Sequence, residues 1–148
     1  MRVGHGQNLR PDAFCEIAAG TRPGHVVLDD GPVLAFLDAR PVFPGHTLVV
    51  TREHYETLLD LPRALLEPLF GASRSVARAM EEGLGADGSF VAVNNRISQS
   101  VAHLHVHVVP RRRKDGLRGF FWPRQKYESD AAMAAVADQL RAAITRGA

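Results

Sequence analysis

The chain has 148 residues, a formal net charge of +2 and 45% hydrophobic residues, values that fit one folded domain with a buried core. It has no apolar run as long as a membrane span, and its first residues lack the apolar stretch of a secretory signal, so we expect no membrane partner. The single cysteine, Cys15, excludes an internal disulfide and favours a reducing, cytoplasmic location.

The first part of the chain predicts a loose arm followed by three short strands. Residues 1–12 are polar and are expected to form the N-terminal arm. Residues 25–28, 33–37 and 46–50 are rich in valine, leucine and other strand formers, and turn residues separate them. The segment between the second and third strands, residues 38–45, contains two prolines and predicts a loop.

The middle of the chain predicts a helix over residues 62–82, because its apolar residues recur at helical spacing. Pro68 lies inside this stretch, so either the first turn is separate or the helix kinks there. Residues 83–85, Gly-Leu-Gly, are expected to end the helix.

The remaining elements are two strands, at residues 89–93 and 103–109, and a last helix over residues 130–144 with Ser129 as its N-cap. The strands cluster around the central helix and do not alternate with helices. We therefore predict an α+β fold with a largely antiparallel five-stranded sheet, one central helix and a C-terminal helix. Residues 1–148 form one domain in this prediction, with residues 112–148 as a C-terminal extension.

The segment HLHVHVV, residues 103–109, places histidines at every second position of a predicted strand. Alternate residues of a strand point to one face, so His103, His105 and His107 should form a row with roughly 6–7 Å between neighbours. Three buried imidazoles need hydrogen-bond partners, and core packing alone would favour valine at these positions. The row therefore indicates chemistry. Two kinds fit: imidazoles that ligate a metal such as zinc, or an imidazole that attacks phosphorus as a nucleophile.

The residues around this row carry a second, longer pattern. Residues 103–111 read H-L-H-V-H-V-V-P-R, and residues 98–101 before them read S-Q-S-V. Upstream, residues 36–54 read FLDARPVFPGHTLVVTREH, and Asn94 and Asn95 lie between the two segments. Together these segments resemble the signatures of the histidine triad (HIT) family of nucleotide hydrolases and transferases. The resemblance implies a HIT-like fold and a homodimer.

The resemblance implies a role for each histidine of the row. His105 would attack the α-phosphate of a purine nucleotide derivative, such as a dinucleoside polyphosphate, a nucleoside phosphoramidate or an adenylyl sulfate. The resulting nucleotidyl-histidine would be hydrolysed or passed to another acceptor. His107 would contact the phosphate and assist the leaving group, and His103 would orient its neighbours. No cofactor is required for this reaction.

The resemblance also implies a set of nucleotide-binding residues. A carboxylate accepts two hydrogen bonds, so the acidic member of the set would lie near the ribose hydroxyls. The other members would lie near the phosphates or stand where the family carries asparagine. These residues are Asp38 for the ribose, His46, Gln99 and Ser100 for the phosphates, and Asn94 or Asn95 for the asparagine position.

The chain departs from the family pattern in three places. Many bacterial members carry a Cys-x-x-Cys that binds zinc with two histidines, but here only the second cysteine is present. The corresponding set would be Asp12, Cys15, His54 and His103, which we consider a weakened site, so we do not expect a metal. Ser98 stands where a glycine is usual. Residues 116–124, GLRGFFWPR, lie outside the signature, in the C-terminal extension that shapes the leaving-group pocket in this family.

Three other functions stay open at this point. The histidine row could ligate a metal in a metal-dependent hydrolase, or the protein could bind nucleotides with little turnover. The basic run RRRK, residues 111–114, could hold a phosphate-bearing ligand or RNA, although a solvated loop is the more common role of such a run. RNA binding ranks last, and we expect no nucleic-acid partner.

Overall fold

The computed structural model describes residues 12–117 and 124–147. The chain divides into two compact units, Met1–Asp115 and Gly116–Ala148. The predicted arm lies outside the described residues except for Asp12, and Phe120, Phe121 and Trp122 lie outside them as well.

The helices and strands follow the predicted order, with one additional helix at the start. They are α1 (Ala13–Ala19), β1 (Val26–Asp29), β2 (Val33–Leu37), β3 (Thr47–Thr51), α2 (Leu66–Leu84), β4 (Gly88–Val93), β5 (His105–Arg111) and α3 (Asp130–Gly147). Two short 3-10 turns, Leu58–Asp60 and Arg63–Leu65, precede α2. The second unit carries α3, and Ser129 caps that helix by accepting the Ala132 N–H at 3.1 Å, as its sequence predicts.

The five strands form one sheet in the order β1-β2-β3-β5-β4, and all four neighbouring pairs are antiparallel. This confirms the predicted α+β fold with an antiparallel five-stranded sheet. β5 therefore lies inside the sheet, between β3 and β4, where its side chains can be buried on both faces.

Alternation along the strands divides the core into two layers. On one face, alternate residues of β2, β3 and β5 pack against the apolar side of α2; this layer includes Val49, Leu69, Val106 and Val108. On the other face, the intervening residues of β2 and β3 pack against α1; these residues are Leu34, Phe36, Leu48 and Val50, and α1 adds Phe14 and Ala18. Because Val106 and Val108 belong to the α2 layer, His105 and His107 face the α1 side.

The separate first turn predicted at Pro68 is present. The turn Arg63–Leu65 precedes α2, and Pro68 lies in the first turn of α2, where its missing N–H would have no partner within the helix. At the other end Gly85 adopts a left-handed conformation with φ 68° and its N–H donates to the Met80 carbonyl. Gly85 thus ends the helix within the segment predicted to do so, whereas Gly83 still lies inside α2.

Helix α1 was not predicted from the sequence, which assigned Asp12 to a loose arm. Asp12 instead caps α1, since its side chain accepts the Cys15 N–H at 2.8 Å. Gly20 ends the helix in a left-handed conformation with φ 77°. An N-cap aspartate and a C-cap glycine eight residues apart are the signals that identify this short helix.

The predicted start of β5 was two residues too early. Strand pairing with β3 begins at His105, opposite Val50, and β5 continues to Arg111. The Leu104 N–H donates to the carbonyl of Tyr55 at 2.6 Å and not to a strand neighbour. His103 therefore lies before β5, although it faces α1 as His105 does and contacts Phe14.

Among the described helices, none combines the length and apolar character that crossing a membrane would require.

Gly45, immediately before His46, has a backbone conformation that a side chain would disturb. Its φ is +101°, and a Cβ there would lie 2.6 Å from Leu84 Cδ1. We expect Gly45→Ala to lower the free energy of unfolding by about 2–4 kcal/mol, from left-handed strain and overpacking together. Urea denaturation measures the change.

The matched control is Gly31→Ala. Gly31 also has a positive φ, +81°, but a Cβ there meets nothing within 4 Å. This variant should show only the strain, about 1–2 kcal/mol. Equal losses in both variants would contradict a steric role for the Gly45 contact.

Candidate active site

His105 is the histidine whose hydrogen bonding is defined most simply. Its ring is buried, and Nδ1 lies 2.7 Å from the carbonyl oxygen of His103. A carbonyl oxygen only accepts, so Nδ1 carries the proton and donates it. In the neutral ring Nε2 therefore holds the free electron pair. Burial lowers the pKa of His105, which keeps the ring neutral, the state that can attack phosphorus.

His107 lies beside His105 on the same face of β5, with 4.8 Å between ring centroids. Its Nδ1 is 3.0 Å from Nε2 of His46. Burial, with repulsion from the nearby His105 and His46, lowers the pKa of His107 to about 4. Both imidazoles at this end of the row are thus uncharged at neutral pH.

His103 is fully buried and also packs against Phe14, with 6.0 Å between ring centroids. Its Nε2 is 2.8 Å from the carbonyl oxygen of Thr51, so this nitrogen donates. Nδ1 faces α1, 3.4 Å from Cys15 Sγ. His103 also acts on the row through its backbone, because its carbonyl accepts the His105 proton. The orienting role that the resemblance implies for His103 stays a prediction, and this backbone contact is the observation that favours it.

Phe14 of α1 covers the histidine face of the sheet. Its ring contacts His105 edge to face, with 5.0 Å between centroids, and also contacts Phe36 at 5.3 Å. Phe14 was not predicted as a site residue, because the helix that carries it was not predicted from the sequence. Phe14 contributes to the burial that depresses the histidine pKa values.

The structure brings Asp38 and His46 close to His107. Asp38 Oδ2 is 3.7 Å from His46 Nε2, and Oδ1 accepts the Arg40 N–H at 2.8 Å in a local turn. His46 is buried, and its Nδ1 is 3.0 Å from the backbone nitrogen of Val42. The carboxylate remains half-buried at the edge of the site, so a ribose contact stays a prediction.

The residues predicted from the loop before β5 serve partly to hold that loop together. Gln99 donates to the carbonyl of Glu56 at 2.5 Å and accepts the Arg96 N–H at 2.9 Å. Asn95 accepts the Leu58 N–H at 2.9 Å. Asn94 is half-buried and Ser100 is exposed, and their phosphate or ligand contacts stay predictions, as does that of Gln99.

Ser98 stands where the family usually has glycine, and its backbone adopts a conformation that favours glycine. Its φ is 58°, and that of Arg96 two residues earlier is 69°. Both lie in the left-handed region that glycine adopts without strain. The tight turn is therefore retained, and the backbone bears the strain of two side chains.

The basic run at residues 111–114 is partly neutralised. Arg111 Nε forms an ion pair with Asp115 at 2.6 Å, and Arg112 donates to the carbonyl of Leu84 at 2.6 Å. Part of the run thus has structural contacts, while residues 112–114 are exposed to solvent. A cavity of about 850 Å³, lined by apolar residues such as Val76 and Met80, lies on the α2 face of the sheet and does not include the histidines.

Four potential metal ligands meet between α1 and the start of β5. Donor atoms of Asp12, Cys15, His54 and His103 all lie within 4.8 Å of one another. Cys15 Sγ is 3.5 Å from His54 Nδ1 and 3.4 Å from His103 Nδ1. With metal bonds of about 2.0 Å to nitrogen and 2.3 Å to sulfur, a tetrahedral zinc site has donors roughly 3.3–3.6 Å apart. The spacing therefore fits such an ion, although the sequence analysis disfavoured it.

The carboxylate of Asp12 gives independent support for this fit. Its Oδ2 is buried and, among the described residues, makes no hydrogen bond of acceptable geometry, although it lies 3.0 Å from His54 Nδ1. Burial opposes its charge, but the Cys15 N–H and the nearby His103 lower the pKa of Asp12 below its ordinary value. An ionised buried oxygen without a good donor is the arrangement that a cation stabilises.

A second group of potential ligands, Asp38, His46 and His107, is arranged differently. Here the two imidazoles are 3.0 Å apart and hydrogen-bonded to each other. That bond occupies the nitrogen of each ring that an ion would need, so the group is satisfied without one.

Comparison with known proteins identifies the family of this chain. The family description "HIT domain" matches residues 19–114. The chain belongs to the HIT family. A HIT-like protein of Saccharolobus solfataricus is 40% identical over 99 residues, which cover 66% of this chain and 71% of that protein. A protein of Streptococcus mutans of known structure is 33% identical, with a TM-score of 0.84 over 94% of this chain and 88% of that one.

Three further similar proteins have a stated enzymatic activity or a bound metal. An adenylylsulfatase of Arabidopsis thaliana is 30% identical over 106 residues, 70% of this chain and 54% of that protein. A bis(5'-nucleosyl)-tetraphosphatase of Schizosaccharomyces pombe is 34% identical over 83 residues, 55% of this chain and 46% of that protein. A zinc-bound histidine triad protein of Mycobacterium smegmatis is 36% identical, with a TM-score of 0.68 over 88% of this chain and 95% of that one.

The depressed pKa of His107 predicts how stability changes with pH. His107 takes up a proton near its ordinary value of 6.5 when the chain is unfolded, but near 4 when it is folded. The unfolded chain therefore binds more protons between these values, and the free energy of unfolding falls as the pH drops from 6.5 towards 4. His107→Gln should reduce the proton uptake on unfolding in this window by up to one proton.

Urea denaturation at several pH values within the window measures this slope. His25→Gln is the control, because His25 is exposed and outside the site. It should leave the slope as in the wild type. If His107→Gln also left it unchanged, His107 would not be held in its neutral form by folding.

Proposed function

We propose that this HIT protein hydrolyses or transfers a nucleotidyl group by attack of His105 on the α-phosphate of a nucleotide derivative. The observation that carries the proposal is the 2.7 Å hydrogen bond from His105 Nδ1 to the His103 carbonyl. It leaves the electron pair on Nε2 and keeps the opposite nitrogen protonated. The adenylylsulfatase and tetraphosphatase among the relatives support a phosphorus anhydride as the bond that breaks.

In the first step Nε2 of His105 forms a bond to the α-phosphorus, and the bond from phosphorus to the leaving group breaks with its electron pair on the leaving group. The imidazole becomes positively charged. The His103 carbonyl stabilises that charge by accepting the Nδ1–H, and the carboxylates of Asp38 and Asp12 also favour a positive His105. In this proposal His107 donates a hydrogen bond to a phosphoryl oxygen.

In the second step a water molecule, or another acceptor, attacks the same phosphorus. The bond from phosphorus to Nε2 breaks, the electron pair returns to Nε2, and the attacking oxygen loses its proton to solvent. His105 is then neutral again, with its proton still on Nδ1. No step of this reaction requires a metal or cofactor.

We expect His105→Ala to abolish the covalent intermediate and to reduce turnover by at least about 10⁴-fold, because the nucleophile itself is removed. The protein is mixed briefly with diadenosine tetraphosphate, adenosine 5'-phosphosulfate or adenosine 5'-phosphoramidate and analysed by mass spectrometry. A nucleotidyl adduct should map to His105 in the wild type and be missing in the variant.

His25→Ala, at an exposed histidine outside the site, serves as the control and should form the adduct normally. An adduct on another residue, or turnover without any adduct in rapid-quench experiments, would contradict covalent catalysis by His105. Binding of the nucleotides without turnover, equal in wild type and variant, would support the binding-protein alternative.

The proposal includes a zinc ion held by Asp12, Cys15, His54 and His103, with a structural role. When bound, such an ion ties α1 to the residues before β5, and so holds Phe14 over the histidines. Its ligand distances and the buried Asp12 oxygen support the site.

We expect about one zinc per chain in protein purified without chelators, measured by elemental mass spectrometry after dialysis. Cys15→Ser should lose most of the metal, since it removes the thiolate. Asp12→Asn should also lose metal while keeping the cap of α1, because asparagine caps as well as aspartate. Glu16→Gln, at a carboxylate of α1 that pairs with Arg22 instead, is the control and should retain the ion.

Equal metal content in Cys15→Ser and wild type would contradict this site. The same samples test the metal-dependent alternative. If removal of the metal abolishes the His105 adduct while the protein stays folded, that alternative is favoured over the mechanism proposed here.

The proposal further includes a homodimer, as the resemblance to the HIT family implies. β4 is an edge strand of the sheet that the described residues form, and Val91 on it is exposed. Pairing with a second copy along β4 would extend the sheet across the dimer.

A further inference from the structure

His46 makes hydrogen bonds within the protein through both of its ring nitrogens. Only 4% of the residue is exposed. The Val42 N–H donates to Nδ1 at 3.0 Å, and Nε2 lies 3.0 Å from His107 Nδ1. An imidazole with both nitrogens occupied in this way has no donor left for a phosphate. His46 is expected from the family resemblance to lie near the phosphates, and these hydrogen bonds favour a role there other than direct phosphate contact.

These two hydrogen bonds define which nitrogen of each ring carries the proton. A backbone N–H can only donate, so Nδ1 of His46 must be the unprotonated nitrogen. The proton of the neutral ring is then on Nε2, which donates to His107 Nδ1. His107 Nδ1 is unprotonated in turn, and its own proton is on Nε2. One backbone amide thus fixes the tautomers of two histidines in succession.

The surrounding charges agree with this assignment. Burial lowers the pKa of both His46 and His107, which excludes a second proton on either ring at neutral pH. Asp38 faces the pair, but its Oδ2 is 3.7 Å from His46 Nε2, too far for a hydrogen bond that would compete. Its negative charge favours the protonated Nε2 of His46. His105 also faces His107 but is itself neutral.

The consequence concerns the remaining nitrogen of His107. The ring is only partly buried, and Nε2 has no hydrogen-bond partner among the described residues. We propose that His46 is a positioning residue that fixes the tautomer of His107, so that His107 presents Nε2–H as a hydrogen-bond donor to the phosphoryl group. Only the identity of the accepting group depends on the function proposed above; the tautomer itself does not.

The first experiment reads the tautomer directly. In protein with ¹⁵N-labelled histidine, two-bond proton–nitrogen correlation spectra distinguish a protonated from an unprotonated ring nitrogen. We expect His46 and His107 both to be protonated on Nε2 alone. Protonation of His107 on Nδ1 in the wild type would overturn the proposal, whatever the enzymatic activity.

Two variants separate the role of His46 in the loop from its role towards His107. In His46→Asn the side-chain oxygen can still accept the Val42 N–H, but no donor reaches His107. In His46→Gln the amide nitrogen stands near the position of Nε2 and can still donate to His107. We expect His107 to become a mixture of tautomers in His46→Asn and to keep its Nε2 proton in His46→Gln.

His25→Gln, at an exposed histidine, is the control and should leave the His107 signals unchanged. An unchanged His107 tautomer in folded His46→Asn would overturn the proposal, as would loss of the tautomer in folded His46→Gln. If one variant does not fold, the wild-type spectrum still decides whether the chain of hydrogen bonds exists.

The second experiment measures turnover with a substrate that gives the His105 adduct. Loss of one positioned donor to an oxyanion lowers kcat by about 10²–10³-fold. His46→Asn keeps the His107 ring but not its fixed tautomer, so kcat should fall only as far as the fraction of His107 protonated on Nε2 falls, roughly two- to fivefold for a mixture of tautomers, with little change in KM. His46→Gln should recover most of the loss.

A rise in KM alone in His46→Asn would favour direct substrate binding by His46 and overturn the positioning role. The two arms also separate failure of this inference from failure of the proposed function. A protein with the expected tautomers but no turnover of any nucleotide would keep the hydrogen-bond chain and contradict the enzymatic activity.

Discussion

The hydrogen bond between His105 Nδ1 and the His103 carbonyl is the constraint on which the site depends. The carbonyl that accepts it belongs to a residue just outside the ladder between β3 and β5. The pairing of β5 with β3 begins only at His105. This carbonyl, whose position the alternating pattern does not reveal, is thus what gives His105 a defined free nitrogen.

Helix α1 makes the histidine face suitable for nucleophilic chemistry. A row of imidazoles on an open sheet would be solvated and would titrate near neutral pH. Phe14 and the apolar residues of β2 and β3 instead bury His105, and burial lowers its pKa. Burial of an imidazole is costly unless its donor is satisfied, and the backbone carbonyl of His103 provides that partner. The same contacts thus stabilise the fold and keep the nucleophile neutral.

The sequence was sufficient to predict the five strands, the long helix and the central residues of the site. The alternation of histidine with valine and leucine predicted that one face of β5 packs in the core, and Val106 and Val108 do lie in the layer against α2. Pro68 marked the start of α2 because proline has no N–H to donate, and Gly85 marked its end because glycine adopts the left-handed conformation without strain.

Other features could not be predicted because they depend on long-range contacts. His46 and His107 are 61 positions apart, and only the register of β3 against β5 brings their nitrogens within hydrogen-bond distance. The short helix α1 has few residues, so its apolar periodicity is weak; its caps, Asp12 and Gly20, were the available signal. The proximity of Asp12 to His103 could not be predicted either, because it depends on the fold. The sequence showed only that one cysteine of the family's pair is missing.

Both ends of the histidine row are anchored by the two ends of β3. His46 precedes that strand and bonds to His107, while Thr51 is its last residue and accepts a hydrogen bond from His103. Because side chains alternate along a strand, a shift of one residue between β3 and β5 would turn the histidines to the α2 face and break both anchors. Register is also what the apolar alternation of β2 and β3 specifies most strongly. The residues that stabilise the core therefore determine, through that register, which nitrogen of each histidine carries a proton.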